Sequence, residues 1–496
     1  MKEAEIELAQ TANSNENGGI KPREPRKPLL DYVKVAFAFF TIEPYLLCYV
    51  LPSSISSIAV QRLNLEKACR VGLNHTKEKC DEWEGNITVQ IQSMVADMTT
   101  WQIPLQSGIP AIFILFVGAW SDRTRNRKAL MLLPIFGELV SSFGLILTTY
   151  FFNEWPLWAT GLIESLPTAL SGGLSIALMG SYSYLADVTS VESRTFRIGI
   201  AAVIVTLGSP AGTSISGILL QEFGYYGVFG TTTTLYCFGF LYTFFRIHDV
   251  NPIKIEGTWF EKVKDFFHPK NVWETICIVF KSSARLKVIL VIAAHIVIVG
   301  PIYGEGTMLY QYIVLKYMMD DVEISLFFTY SILMGLCGTA VAVTVFSKLL
   351  KMHDAFIGII ATACKVISCC VYALAPTKPW FYSGPAFDFF GNSGITAIRS
   401  LGTKVVEPDQ VGKMCSLIGF VEAVAPVIYT PLYSQTYKYT LATLPGAFYL
   451  LGGAMTIPAF LIFIKLYLIH RTEQKDVVKN PQAKEMYAHD NDVTAL

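Results

Sequence analysis

The sequence predicts an all-α membrane protein, with twelve transmembrane helices in two six-helix bundles. Three observations carry that reading. Hydrophobic residues make up 52% of the 496-residue chain and charged residues only 16%, whereas a soluble domain has roughly 45–50% apolar and about 25% charged residues. Apolar stretches of about twenty residues, the length that spans a bilayer, recur along the chain. These stretches fall into two sets of six around a long polar segment, the layout of two bundles related by a pseudo-two-fold axis.

Taken in order, residues 1–33 form a polar N-tail in which Lys21, Arg23, Arg26 and Lys27 precede the first apolar run. That is not the pattern of a cleaved signal peptide, so the first span serves as an uncleaved one. Spans follow near 34–60, 97–120, 129–152, 155–185, 197–221 and 226–246, which make an N-terminal bundle over 34–246 with a polar loop at 61–96. Residues 247–286, mixed in charge with Trp259, Phe266 and Phe267 interspersed, read as a cytosolic linker with an amphipathic segment. Six more spans, near 287–315, 323–347, 354–376, 380–403, 411–437 and 444–470, make the C-terminal bundle, and a tail runs over 471–496. Pro44, Pro52, Pro167, Pro210, Pro301, Pro385 and Pro426 interrupt helical hydrogen bonding mid-span and allow bending.

The basic residues of the N-tail, of 123–128, of Arg194 and Arg197, of the linker, of Lys348, Lys351, Lys404 and Lys413, and of the C-tail all fall on one side. The positive-inside rule makes that side cytosolic. The 61–96 loop falls opposite and carries two glycosylation acceptors, Asn74 and Asn86. It also holds Cys69 and Cys80, the two cysteines in a polar segment, which a non-cytosolic compartment would oxidise to each other; two free thiols are the alternative. Thr494-Ala-Leu496 has the form of a C-terminal strand for a PDZ groove, a match short enough to arise by chance. Zero formal net charge, with no basic stripe interleaved with aromatics, argues against nucleic acid as a partner. The chain contains no P-loop, Gly-x-Ser-x-Gly elbow, His-Glu-x-x-His or metal-spaced Cys/His cluster, so neither an enzyme nor a cofactor is expected.

Ionisable groups inside a bilayer are costly and mark function by default. Glu43 lies in span 1, Glu164 in span 4, His295 and Glu305 in span 7, and Asp388 and Arg399 in span 10. Helical periodicity aligns Glu164 with Thr168, Ser171 and Ser175, aligns Asp388 with Asn392, Arg399 and Thr403, and puts Glu43 on one face with Ser54, Ser57 and Gln61. Glu305 aligns with Tyr312, and His295 is turned away by nearly a right angle. One polar stripe on each of several spans implies a water-filled path between the halves, with helix-packing contacts as the alternative for the Ser and Thr positions. Glu138 and Lys365 lie deep in spans 3 and 9 and receive no role, and Glu422 in span 11 is either a cavity or a packing residue.

A basic hairpin, Gly118-Ala-Trp-Ser-Asp122-Arg123-Thr-Arg125-Asn-Arg127-Lys128, joins spans 2 and 3. It resembles motif A of the major facilitator superfamily, with Arg125 and Asn126 departing from the pattern; a plain stop-transfer cluster is the alternative. Asp122 is expected at the positive end of a neighbouring helix, and the arginines against anionic lipid heads. Glu43-Pro44, the hairpin, Ala186-Asp187 through Arg194-Thr-Phe-Arg197, and Ile395 through Arg399 to Gly412 together resemble the proton-coupled folate transporter family, solute carrier family 46. The resemblance runs over essentially all twelve spans. It implies the major facilitator fold, with spans 1, 4, 7 and 10 lining a central cavity. By position, Arg399 is the family's arginine of span 10, Glu164 stands for its acid of span 4, and Asp122 is the motif A aspartate.

The expected function is secondary active transport of a small anionic organic solute (folate-like, or a cell-wall fragment or cyclic dinucleotide) with protons by alternating access. Glu164, Glu305 and His295 are candidates for proton coupling, and Arg399, Glu43, Asp388, Asn392 and Tyr312 for solute binding. Asp122, Arg123, Asp187, Arg194 and Arg197 are candidates for gating. The alternatives are proton/solute antiport, suggested by Gly208-Ser-Pro210-Ala-Gly212, and a non-transporting membrane receptor or scaffold. A plasma-membrane location is expected ahead of a lysosomal one.

Overall fold

A computed structural model describes residues 41–81, 85–189, 191–250, 253, 285–406 and 411–479. The N-tail, most of the linker and the PDZ-type C-terminus lie outside the described residues. In the N-terminal half the helices are α1 (Glu43–Lys67), α2 (Lys77–Asp81), α3 (Gly85–Thr124), α4 (Arg127–Tyr150), α5 (Leu157–Ser171), α6 (Gly173–Val188) and α7 (Val191–Arg246). The C-terminal half holds α8 (Arg285–Tyr317), α9 (Asp321–Val341), α10 (Asp354–Leu374), α11 (Lys378–Tyr382), α12 (Gly384–Phe387), α13 (Ser393–Val405), α14 (Val411–Thr440) and α15 (Ala447–Lys479). Nine helices among the described residues are long and apolar enough to cross a membrane, and the 50-residue one at Arg197–Arg246 is two helices that part at Gly224. There φ is 62°, which glycine adopts without a Cβ penalty.

Three elements differ from the expected spans. α1 runs past residue 60 and continues as a wider π-helical turn at Ala68–Gly72, so among the described residues little of 61–96 is loop. Its polar end is held by local and tertiary partners. Arg70 pairs with Glu66 at 2.9 Å, the Tyr225 hydroxyl donates to Glu66 at 2.8 Å, and Lys67 Nζ donates to the Trp155 carbonyl at 2.9 Å. Cys69 and Cys80 form a disulfide with their Cα atoms 5.9 Å apart, which ties α2 back to this turn.

Span 4 is two helices, α5 and α6, that part at Gly172 with φ 92°, so Ser175 lies beyond the break and is exposed, off the stripe of Glu164, Thr168 and Ser171. Span 10 is broken into α11, α12 and α13, with Asp388 through Asn392 in turns between α12 and α13. Asp388, Asn392 and Arg399 therefore do not share one helical stripe. The break lets the Phe389 carbonyl approach Gly338 of α9 so closely that a Cβ at 338 would collide with it. Small residues at such crossings let backbones approach, as expected where lipid offers no hydrophobic drive for helix association.

The apolar packing is asymmetric along the bundle axis. At the end that carries the disulfide, one cluster runs through both halves, from Ile58 and Leu63 of α1 and Met98 of α3 to Tyr312 of α8, Tyr433 of α14 and Phe448 of α15. At the opposite end each half has its own core. Tyr45, Met131, Tyr184 and Tyr236 belong to one, and Val291, Ile398, Met414 and Phe463 to the other.

The α3–α4 hairpin lies at this second end. Asn126 caps α4 by accepting from the Ala129 amide at 3.3 Å, and the Asp249 carboxylate accepts from the Arg127 and Lys128 amides at 2.7 and 2.8 Å. A carboxylate on the positive end of a helix is favourable. Asp249, just after α7, takes that position at α4; of Asp122 only the backbone is described.

Candidate functional site

Between the halves lies a cavity of about 420 Å³. Its walls come from the disulfide-side parts of α1 and α3, from α4, α5 and α7, and, in the other half, from α8 through Ile302, Tyr303, Gly306, Thr307 and Gln311. Two carboxylates face it, Glu164 of α5 and Glu138 of α4. Hydroxyls and amides make up most of the remaining polar lining, and none of the described lining residues is Lys, Arg or His.

Glu138 is held from behind. The Tyr49 hydroxyl donates to Oε1 at 3.1 Å and the Tyr236 hydroxyl to Oε2 at 3.4 Å. Glu164 is flanked by Gln102 and Asn64, but its Oε2 is buried without a partner of hydrogen-bond geometry. Asn64 Oδ1 and Gln311 Oε1 are likewise buried and unpartnered, on residues only 5% and 3% exposed.

The cavity is closed at the disulfide side by contacts that cross between the halves. Gln92 Nε2 of α3 donates to the Gln311 carbonyl at 3.0 Å, and the Tyr437 hydroxyl of α14 donates to Gln92 Oε1 at 2.5 Å. Gln435 Nε2 donates to Thr100 Oγ1 at 3.1 Å, and Lys438 pairs with Asp97 at 2.6 Å. On the other flank the Ser325 hydroxyl of α9 donates to the Thr213 carbonyl of α7, where a Cβ at Gly217 would run into the Asp321 carbonyl. Gln311 is thus both cavity wall and seal.

The remaining charges of the C-terminal half form two groups. Lys365 of α10 sits between Glu305 at 2.8 Å and Asp388 at 3.2 Å. Lys365 and Glu305 are largely buried, and Cys369 Sγ lies 3.5 Å from Glu305 Oε1. Arg399 of α13 grips Glu422 of α14, its Nη2 reaching both carboxylate oxygens at 2.6 Å and its Nε reaching Oε1 at 3.1 Å. His295 Nε2 stands 3.1 Å from the same Glu422 Oε1 without hydrogen-bond geometry. The Arg399 side chain is 55% exposed, and Tyr303 of the cavity wall lies within the field of both Arg399 and Glu422.

Of the residues singled out in the sequence, Glu164 therefore lines the cavity. Glu305 and Asp388 are brought together by Lys365, and His295 and Arg399 by Glu422. Glu43 is not on the cavity; it is 3% exposed and bound to Arg197, at 3.0 Å, so a residue read as solute-binding is the partner of one read as a gate. Arg197 Nη2 also donates to Thr41 Oγ1 at 3.0 Å. Tyr312 is fully buried, with its hydroxyl donating to the Tyr372 carbonyl at 2.8 Å. Asn392 packs against Gly335. Asp187 pairs with Arg127 at 3.0 Å, and of Arg123 and Arg194, as of Asp122, only the backbone is described. Asn74 is exposed, and the side chain of Asn86 lies outside the described residues.

The sequence model of the Major Facilitator Superfamily matches residues 87–430. The chain belongs to that superfamily of membrane proteins. It is 23% identical over 433 residues to the lysosomal proton-coupled steroid conjugate and bile acid symporter SLC46A3 of Gallus gallus, covering 84% of this chain and 91% of the relative. It is also 23% identical over 354 residues to the proton-coupled folate transporter of Rattus norvegicus, covering 70% and 73%. In structure it resembles the human organic anion transporter MFSD10 (TETRAN), with a TM-score of 0.57 at 14% identity over 85% of this chain and 97% of that one.

Proposed function

We propose that the protein is a secondary transporter that carries a small organic anion together with protons across a membrane by alternating access. The observation that carries this reading is the cavity between the halves, sealed at one end and walled by a carboxylate with an unpartnered oxygen. Such a carboxylate can accept a proton or a donor group from water or solute entering the cavity. Glu164 and its neighbour Glu138 take the proton, and the Glu305–Lys365–Asp388 and His295–Glu422–Arg399 groups respond when the halves rock. Arg399, exposed and fork-shaped, receives the solute's acidic end by exchanging Glu422 for it.

In the orientation expected from the basic residues, the sealed end is non-cytosolic and the state is inward-facing. Alignment over 84% and 70% of this chain with relatives named as a proton-coupled symporter and a proton-coupled transporter supports a transport role. Membership of lysosomal or plasma membrane follows from fractionation of tagged protein. The deciding experiment is uptake of radiolabelled organic anions at acidic and neutral outside pH by wild type and Glu164→Gln. The proposal expects acid-stimulated uptake in wild type and a flattened pH profile in the variant. Wild-type uptake that ignores pH would refute proton coupling.

A further inference from the structure

The cavity wall is rich in acceptors that lack donors. Glu164 Oε2, Asn64 Oδ1 and Gln311 Oε1 are each buried without a partner, all three residues line one cavity, and no described lining residue is cationic. A buried acceptor left unpaired costs about as much as a lost hydrogen bond, so a site with three of them fits a ligand that supplies hydrogen. Serine, threonine and tyrosine hydroxyls can rotate to donate. Here, however, three of the lining hydroxyls are committed: Thr168 Oγ1 to the Ser165 carbonyl at 2.9 Å, Ser57 Oγ to the Ser54 carbonyl at 2.8 Å, and Tyr236 to Glu138.

A carboxylate with an unpaired oxygen, on a wall that holds two further unpaired amide oxygens, suits a primary ammonium, which has three hydrogens to donate and a charge to match. An anion alone would find no positive charge among the described lining residues, only the neutral donors of amides and hydroxyls. Arg399, a cation open to solvent, belongs to the opposite half, and its charge is felt at Tyr303 of the cavity wall. We infer that the solute is a zwitterion: its ammonium docks on Glu164 and Asn64, with Gln311 closing over it, and its acidic end faces Arg399. The inference rests on the reading of this cavity as the transport path. The co-transported proton and the ammonium then share the Glu164 and Glu138 carboxylates, so cargo and proton occupy the cavity together.

The geometry explains why both halves are needed. The amine subsite belongs to α1 and α5, while the acid subsite belongs to α13. Gln311 connects the amine subsite to the seal, because its carbonyl accepts from Gln92. A solute that engages both halves favours the state that brings them together, and one that engages a single half does not.

The test uses two probes that differ only in the ammonium, the dipeptide alanyl-glutamate and N-acetyl-alanyl-glutamate. Their binding to the purified full chain in micelles is read as a rise in Tm over a concentration series, in choline chloride. The free dipeptide should bind at least about tenfold more tightly than the acetylated one, the usual scale of a charge-assisted hydrogen bond. Glu164→Gln should bring the two probes to equal affinity while the acetylated probe binds as in wild type. Asn64→Leu should narrow the gap and serves if Glu164→Gln does not fold. Equal affinities in wild type, stabilisation by neither probe, or the same discrimination in Glu164→Gln would overturn the inference. So would sodium chloride stabilising the chain as the dipeptide does, since the three oxygens would then be a metal-ion site. Radiolabelled-anion uptake measured in parallel separates the two levels. Loss of pH-driven uptake with amine discrimination intact rejects only the transport reading; uptake intact without discrimination rejects only the zwitterion.

Discussion

Lys365 shows how much of this protein's polar chemistry depends on single residues. It lies between Glu305 and Asp388 in a largely buried group, and neither acid has another cation among the ion pairs of the described residues. Breaking a buried pair by deleting one partner typically costs about 3–5 kcal/mol, because the other charge is left without compensation. Lys365→Met should therefore lower Tm sharply in micelles, and adding Glu305→Gln to Lys365→Met should restore part of the loss. A double variant no more stable than the single one would mean that the lysine is not needed to balance Glu305. Arg399 makes the opposite case, being half-exposed and gripping Glu422 through Nε and Nη2. Arg399→Lys keeps the charge but not the planar fork. The expected result is normal surface protein with roughly tenfold weaker half-saturation for anionic solutes, on the scale of a charged hydrogen bond. Loss of surface protein would instead assign Arg399 to structure alone. These residues were unevenly legible in sequence. A charge inside an apolar run is conspicuous, so Glu164, Glu305 and Arg399 stood out, but the partner of each charge is set by tertiary packing. Sequence assigns no role to Glu138 and Lys365 because their helices are peripheral in a generic bundle, and it cannot pair Glu43 with Arg197, 154 residues away.

At the scale of the element, the helices are longer and more broken than hydropathy suggests. Periodicity counts an apolar window and is blind to a break that costs little hydrophobicity. Gly172-Gly173 divides span 4, and the segment around Gly384-Pro385 and Gly391 divides span 10, so these Gly and Pro residues are the sequence features that interrupt the stripes. The N-terminus of α10 offers a measurable consequence. His353 Nδ1 accepts from the Ala355 amide at 3.2 Å, and its ring stacks on His470 with centroids 3.8 Å apart. Burial, followed by the neighbouring His470, pushes His353 down to about 4 from its ordinary 6.5. The neutral ring is the one that caps the helix. Between these values the unfolded chain binds a proton that the folded chain does not, so the cap's contribution is present above about 6.5 and is lost as pH falls toward 4. His353→Asn keeps a capping oxygen without the titration. Its Tm should fall less than that of wild type across this window, by a few degrees at most. Parallel Tm curves for the two proteins would show that the ring's protonation does not affect the fold.

The whole molecule is two cores that share a third. Tyr312, Tyr433 and Phe448 belong to a cluster continuous with Ile58 and Met98 across the halves at the disulfide end, while the opposite end keeps its cores apart. This asymmetry was not legible beforehand, because residues such as Gln92 and Asp97 fall in or beside what hydropathy marks as a loop. Their partners Gln311, Tyr437 and Lys438 are more than 200 residues distant in the chain. Alternating access requires that this seal open as the other end closes, so its contacts must be reversible. Gly217 is the place to test this. At that point α7 and the start of α9 approach so closely that any side chain would strike the Asp321 carbonyl, yet position 217 lies within a helix of its own half and need not disturb that half. Gly217→Leu should leave each half folded and prevent the seal from forming. A few kcal/mol of such a clash is enough to invert a two-state population. Thr307, on the cavity wall, reports the change when replaced by cysteine in a background without other reactive thiols. In wild-type seal geometry, an impermeant maleimide applied from the disulfide side should label position 307 slowly and one from the hairpin side quickly; Gly217→Leu should reverse the order and abolish net uptake. Unchanged labelling from both sides, with uptake intact, would mean that the contacts of α7 with α9 do not gate the cavity.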